Sequence, residues 1–122
     1  MATLSNAVFD NGLSTLTTNG TRIDICSTEP TTYAEATSTH TLGNETVSVG
    51  SPADRTGGGR EVVVAAITDG SVTATGTATH YAIVDTVNSR LLATGSLSAS
   101  QSVTSGNTFT LSSVSIGIPD PA

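Results

Sequence analysis

The amino-acid sequence predicts a mainly β protein, an antiparallel β-sandwich or barrel with a short N-terminal helix. The chain contains 23 Thr and 16 Ser, and Val and Ile outnumber Leu, a composition that suits pleated strands. After residue 60, short apolar stretches alternate with turn residues, whereas the first apolar residues have helical spacing. The length of 122 residues fits one domain, 1–122, large enough to bury a core without disulfide bonds.

The N-terminal helix is predicted over about residues 3–18. Phe9, Leu13 and Leu16 recur at i, i+4 and i+7, which places them on one face. Gly12 falls inside this segment and costs about 1 kcal/mol of helix stability, and Asn-Gly is also a hairpin signal. The helical spacing favours the helix over the hairpin.

The ends of this helix have recognisable signals. Thr3 or Ser5 is expected to cap the start, because a hydroxyl accepts a bond from a free backbone N–H. Gly20 is expected to end the helix in a left-handed conformation, which glycine adopts without steric cost.

A half-buried strand is predicted for residues 21–28, with Ile23 and Ile25 on one face and Arg22, Asp24 and Cys26 on the other. A variable loop region, about 29–60, follows it. Within that region a helical turn is expected at Thr31–Ala36, a short strand at Thr46–Val49 and a surface loop at 51–59.

The β core is predicted over about residues 60–118. We expect its strands at Arg60–Thr68, Ser71–Thr77, Thr79–Thr86, Arg90–Leu97 and Thr108–Ile118. Asp69-Gly70 and Asn88-Ser89 are predicted turns, and a β-bulge is placed at Ser112-Ser113 because the apolar phase changes there. The residues expected to be largely buried are Val62, Val64, Ile67, Ile83, Leu91, Phe109, Leu111, Val114 and Ile116.

The charge balance excludes several classes of function. The chain has no Lys, four Arg and ten acidic residues, for a net charge of -6. This argues against nucleic-acid binding, which needs a clustered basic face, and against attraction to anionic lipid. The longest apolar run, Val62–Ile67, is far shorter than a membrane span of about 20 residues. We therefore expect no nucleic-acid or membrane partner.

No catalytic or metal-binding set stands out, so no catalytic residue, cofactor or metal is predicted and the protein is not expected to be an enzyme. His40 and His80 are the only histidines, and their spacing from Cys26 fits no zinc pattern. Cys26 and His80 would form a nucleophilic pair only if the fold brought them together. The favoured interpretation is that Cys26 packs as a small, reduced residue and His80 lies at a strand edge.

Other polar motifs have structural explanations. Gly57–Gly59 followed by Arg60 lacks the lysine of a phosphate-binding loop, so a flexible loop is the better interpretation. Asp54, Asp69 and Asp85 are isolated acids near turns, and each is expected to stabilise a turn through its own backbone. A carbohydrate-binding sandwich is disfavoured because the chain has only four aromatic residues and no Trp.

The order of segments resembles a group of small tailed-bacteriophage virion structural proteins. The resemblance rests on Leu4–Ala7, Asn19–Ile25, Ser27–Pro30, Thr73–Asp85 and Ser105–Thr108, and Ala74–Asp85 is its most specific part. It spans nearly the whole chain but brings no catalytic motif with it.

This resemblance implies a structural role in a bacteriophage particle. The expected function is a capsid decoration, or cement, protein that binds and stabilises the assembled head. A tail-associated tube, adaptor or fibre module is the alternative. Expected partners are the major capsid protein and copies of this chain, as a trimer or another homo-oligomer. No secretory signal is visible, so the expected location is the virion, assembled in the host bacterial cytoplasm. The N-terminal segment and the 50–60 loop are the expected contact elements.

Overall fold

The computed structural model describes residues 4–120 and confirms a mainly β fold with a short N-terminal helix. The helix packs on two antiparallel sheets, the larger of which curls into a half-barrel. Helix α1 is Asn6–Asn19, and the strands are β1 Arg22–Cys26, β2 Thr41–Thr46, β3 Ala53–Asp54, β4 Arg60–Val64, β5 Ile67–Val72, β6 Gly76–Asp85, β7 Arg90–Val103, β8 Thr108–Leu111 and β9 Val114–Ile118.

The helix buries the face that its spacing predicts. Phe9, Leu13 and Leu16 are buried, whereas Val8 points the other way and is more than half exposed. Each buried Phe or Leu contributes about 1.5–3 kcal/mol relative to an exposed one. These contributions exceed the cost of Gly12, and the helix therefore continues through the Asn-Gly pair.

The two ends of α1 differ from the expected caps. Ser5 precedes the first turn, but its hydroxyl makes no capping hydrogen bond, and Thr3 lies outside the described residues. Gly20 ends the helix with φ −72°, so the predicted left-handed conformation is wrong. A Cβ at Gly20 would lie 2.6 Å from the carbonyl oxygen of Leu16, and this close approach is what requires glycine.

The six-stranded sheet has the strand order β7-β6-β1-β2-β5-β8. Its central strand β1 is buried on both faces, so the predicted half-buried strand is wrong. Ile23 and Ile25 face the main core. On the opposite face, a π-helical turn at Glu35–Thr39 covers Cys26, whose thiol lies 3.7 Å from the carbonyl oxygen of Ala36.

Asp24 is the fully buried charged residue on the covered face of β1. Its side chain is fully buried, and burying an unpaired carboxylate is costly. Arg22 donates to both of its oxygens at 2.7 and 2.8 Å, and the Thr41 hydroxyl donates at 2.7 Å. These bonds satisfy the carboxylate and tie β1 to the start of β2.

The second sheet has the order β3-β4-β9, with β4 and β9 paired from Arg60 opposite Ile118 to Val64 opposite Val114. The predicted single strand Thr108–Ile118 with a bulge is therefore wrong. Its first part, β8, pairs with β5 in the large sheet, and its second part, β9, pairs with β4. The change of apolar phase at Ser112-Ser113 marks the crossing between sheets.

The strand boundaries between residues 60 and 77 also differ from the prediction. The expected strand Arg60–Thr68 breaks after Val64, and Asp69-Gly70 lies inside β5 instead of forming a turn. A Cβ on Gly70 would lie 2.3 Å from the ring of Phe109, so glycine makes room for that ring. The expected strand Ser71–Thr77 is interrupted after Val72, and β6 starts at Gly76.

The hairpin between β6 and β7 confirms the predicted turn at Asn88-Ser89, where Ser89 has φ 54°. In the 29–60 region, the helical turn lies at residues 33–39 instead of Thr31–Ala36. The strand expected at Thr46–Val49 is wrong. The observed strand, β2, ends at Thr46, and Val49 forms only an isolated bridge with Val64.

The predicted core is confirmed in part. Val62, Val64, Ile67, Ile83 and Phe109 are buried. Leu91, Leu111, Val114 and Ile116 are only partly buried. These four lie on β7, β8 and β9, which end their sheets and are covered on fewer sides than the central strands.

Candidate functional site

A cleft opens where the two terminal strands of the half-barrel approach each other. We call it the seam. Its volume is about 460 Å³, within the range of pockets that bind ligands. The seam is lined by Ile23, Val64, Ala65, Ile67 and Tyr81, by Ser96–Gln101 of β7, and by Thr110–Val114 at the end of β8 and the crossing to β9.

One wall of the seam is a stretch of β7 whose pairing with β6 is irregular. His80 pairs with Ser96 and Ala78 pairs with Gln101, so one residue of β6 faces four residues of β7. Those four, Leu97–Ser100, leave the ladder and line the cleft. We call them the β7 bulge.

The Gln101 side chain bridges the seam next to the β7 bulge. Its amide nitrogen donates to the carbonyl oxygen of Thr110 at 2.9 Å, and its amide oxygen accepts from the Thr110 backbone N–H at 3.4 Å. A carboxamide offers one acceptor and N–H donors, as a peptide group does. Gln101 therefore gives the edge of β8 one pair of the bonds that a neighbouring strand would give.

Tyr81 is the aromatic residue that lines the seam. Its ring lies across the strand pair against Gly95, where an added Cβ would lie 2.5 Å from a ring carbon. Burial raises the pKa of the Tyr81 hydroxyl above its ordinary value, so the phenol stays neutral at neutral pH. Gly95 is thus required by the packing of this ring.

The seam is electrically neutral. Among residues 4–120, its lining contains apolar side chains, hydroxyls and one carboxamide, with no Arg, Asp, Glu or His. The neutrality extends along the chain, because no residue from Leu91 to Pro119 is charged. Such a surface can form hydrogen bonds and apolar contacts but no ion pairs. The sequence signal that would have indicated the seam is this uncharged stretch of 29 residues. The alternation patterns used to predict strands do not reveal the seam.

The fold does bring Cys26 and His80 together, directly opposite each other on β1 and β6. The Cys26 thiol, however, is fully buried, and burial raises its pKa to about 12. The His80 ring bonds instead with the hydroxyls of Thr79 at 2.9 Å and Ser96 at 3.4 Å. The pair therefore lacks the thiolate that a nucleophile needs. The prediction that His80 lies at a strand edge is wrong, because β6 lies between β7 and β1 and His80 is paired with both.

The three isolated aspartates have different roles. Asp85 forms a turn as predicted, accepting from the backbone N–H groups of Val87 at 3.0 Å and Asn88 at 3.2 Å. Asp54 lies in β3 and pairs with Arg60, and Asp69 lies within β5, so the turn prediction is wrong for both. Within the described part of the chain, no group of three His, Cys, Asp or Glu side chains is placed to hold a metal ion.

The two expected contact elements, the N-terminal segment and the 50–60 loop, are joined by one side chain. Arg60 donates to Asp10 of α1 at 2.9 Å and to Asp54 of β3 at 2.7 Å. Gly57–Gly59 all have positive φ, which lets the loop turn tightly back to β4. The loop is therefore attached to the helix, and its contact with a partner stays a prediction.

The comparisons with known proteins identify no family, since no protein-family model, curated protein or solved structure matches the chain. Between residues 4 and 120, none of the helices has the length and apolar character needed to cross a bilayer.

Proposed function

We propose that this protein is a structural subunit of a tailed-bacteriophage particle, a capsid decoration protein that binds and stabilises the assembled head. Its partners are then the major capsid protein and further copies of the chain, and its location is the virion. The observation on which the proposal rests is the neutral surface formed by the seam, by β7 after Arg90 and by β8.

A decoration protein binds to one shell in many copies, each through the same contact surface. Many weak contacts gain strength by multivalency, so no single contact has to be strong. Apolar and hydroxyl groups from Leu91 to Pro119 supply such a surface on a chain that is otherwise acidic. The resemblance of Ala74–Asp85 and the other quoted segments to phage virion proteins supports the same function.

The test uses the position of the protein on particles. Val87 at the β6–β7 turn is 81% exposed, so a Val87→Cys variant can be coupled to a maleimide gold cluster. The labelled variant is added to particles of the encoding phage that lack this gene, and the particles are imaged by cryo-electron microscopy. The parent protein is the matched control, because its single thiol is buried and will not couple while the protein is folded.

Gold distributed over the head would support the proposal. Gold confined to the tail would replace it with the alternative, a tail tube, adaptor or fibre module. If neither structure carries gold above the level of the control, the virion proposal is wrong.

A further inference from the structure

Tyr81 presents a hydroxyl in the seam that no group within residues 4–120 satisfies. The residue is only 7% exposed, and a buried tyrosine hydroxyl usually has a hydrogen-bond partner. Burial alone raises the pKa of this phenol, with no contribution from a hydrogen bond. In the described part of the chain, every completely buried side-chain nitrogen or oxygen has a partner, so the Tyr81 oxygen reaches open space. The open space that Tyr81 borders is the seam.

The inner wall of the seam is aliphatic. Ile23, Val64 and Ile67 line it and are buried in the main core. Leu97 and Leu111 line it as well and are partly buried. A molecule that packs against these side chains removes apolar surface from water, which is favourable. The wall therefore favours a ligand with an aliphatic body.

The mouth of the seam carries hydroxyl groups. Ser98, Ser100, Thr110, Ser112 and Ser113 line the cleft and are exposed. A ligand with a carboxylate, phosphate or amine would leave water for a lining that offers no opposite charge, which is costly. The seam therefore selects uncharged molecules.

The position of the Tyr81 ring separates two kinds of uncharged ligand. A sugar is typically held by an aromatic ring with a free face, but the Tyr81 ring packs against Gly95, where an added Cβ would lie 2.5 Å from it. An aliphatic molecule needs no such stacking. The volume of about 460 Å³ lies towards the lower end of the range for ligand pockets, which suits a small molecule.

We propose that the seam binds an uncharged aliphatic molecule with one alcohol or carbonyl oxygen, which accepts a hydrogen bond from the Tyr81 hydroxyl. The aliphatic part contacts the inner wall, and the hydroxyls of the mouth stay in water. This inference goes beyond the proposed function and does not depend on it, because it concerns what the isolated chain binds.

Titration of the purified protein with octanol, followed by the amide signals in two-dimensional NMR spectra, tests the site. Octanol combines an aliphatic chain with one neutral oxygen. It is expected to shift the amide signals of Ser96–Gln101 and Thr110–Val114 in a saturable way. The expected Kd is about 1 mM or tighter, which is reasonable for a ligand of about nine non-hydrogen atoms. Octanoate at pH 7 has the same chain length with a charged head, and glucose has hydroxyls without a chain. Both are expected to bind at least tenfold more weakly than octanol.

Three variants locate the binding. Tyr81→Phe keeps the ring against Gly95 and removes only the oxygen, so it is expected to weaken octanol binding about threefold to tenfold. Ala99→Trp places a large side chain at an exposed position in the lining and is expected to weaken binding at least tenfold. Val87→Trp is the matched control, because it adds the same side chain at the exposed hairpin turn outside the seam, and it should bind octanol like the parent.

The proposal is wrong if octanol shifts no amide signals, or shifts them without saturation or away from the seam. It is also wrong if octanoate or glucose binds as tightly as octanol, or if Tyr81→Phe or Ala99→Trp binds octanol like the parent. The spectra of each variant without ligand show whether its fold is retained. Particle labelling is independent of this titration. A chain that binds octanol but no particle would refute the proposed function alone, and a chain that decorates heads but binds no octanol would refute the ligand site alone.

Discussion

Replacing Phe109 by alanine is expected to lower the free energy of unfolding by about 3–5 kcal/mol. The Phe109 side chain is 1% exposed and belongs to the main core. It lies over two glycines, Gly70 and Gly43, where added Cβ atoms would come within 2.3 and 3.2 Å of its ring. Because backbone forms this wall, the site cannot collapse easily around a cavity. We therefore expect the upper part of the range.

The matched variant changes Gly70, the residue that faces the Phe109 ring. Gly70→Ala places a methyl group against the Phe109 ring and is expected to cost about 1–3 kcal/mol through overpacking. Combined with Phe109→Ala, the glycine substitution should cost much less, because the ring that it would strike is absent. The assay is urea unfolding followed by circular dichroism, with the slope m compared among the variants.

Two results would refute this packing argument. One is a Phe109→Ala variant whose unfolding midpoint equals that of the parent. The other is a double variant whose loss of stability equals the sum of the single losses, since that would show that residues 70 and 109 do not touch.

Three further predictions follow from polar contacts. Bonds from Asn88 and Arg90 lower the pKa of Asp85 to about 2, so its carboxylate stabilises the fold above about pH 4 and loses this effect as the pH falls to 2. Asp85→Asn should therefore flatten the urea-unfolding midpoint between pH 4 and 2, and an unchanged slope would contradict this. Cys26 should react with iodoacetamide at pH 8 only after unfolding, and Cys26→Ser should cost about 1 kcal/mol and leave particle binding intact. Arg60→Ala should speed amide hydrogen exchange in both α1 and the 51–59 loop, whereas faster exchange in only one would show that Arg60 does not join them.

The helix and the class of fold could be predicted because their signals are local. Phe9, Leu13 and Leu16 share a face in any helix, whatever the helix packs against. The hairpin turn at Asn88-Ser89 is likewise set by neighbouring residues, including the Asp85 carboxylate that accepts bonds from the turn.

The predictions that were wrong concern segments whose structure depends on residues far away in the sequence. Asp-Gly is a strong local turn signal, yet Gly70 lies in a strand because Phe109, far along the chain, needs the space above it. The phase change at Ser112-Ser113 is equally compatible with a bulge and with a crossing between sheets. The deciding fact is the pairing of β9 with β4, about 50 residues earlier in the chain. The face of β1 that carries Cys26 was predicted to be exposed for the same reason, since the turn that covers Cys26 comes from the variable region.

The seam could not be predicted from strand patterns, because it depends on a mismatch in register. Nothing in Leu97–Ser100 itself marks it as a bulge, since it becomes one only when Ala78 pairs with Gln101 and His80 with Ser96. One wall of the candidate site is therefore a consequence of pairing.

The Gln101 side chain takes part of the place that a neighbouring strand would have beside β8, the last strand of the half-barrel. Its carboxamide gives β8 both an acceptor and a donor, so Thr110 is satisfied without another strand. The same side chain spans the gap at one point only, and the bulge that precedes it has no equivalent bridge. The stretch Leu97–Ser100 has neither charge nor proline, but a β-bulge is itself one of the features that hinder pairing at a sheet edge. The half-barrel is thus linked across its open side by one carboxamide, and the uncharged residues Leu91–Pro119 give that side of the molecule its neutral surface.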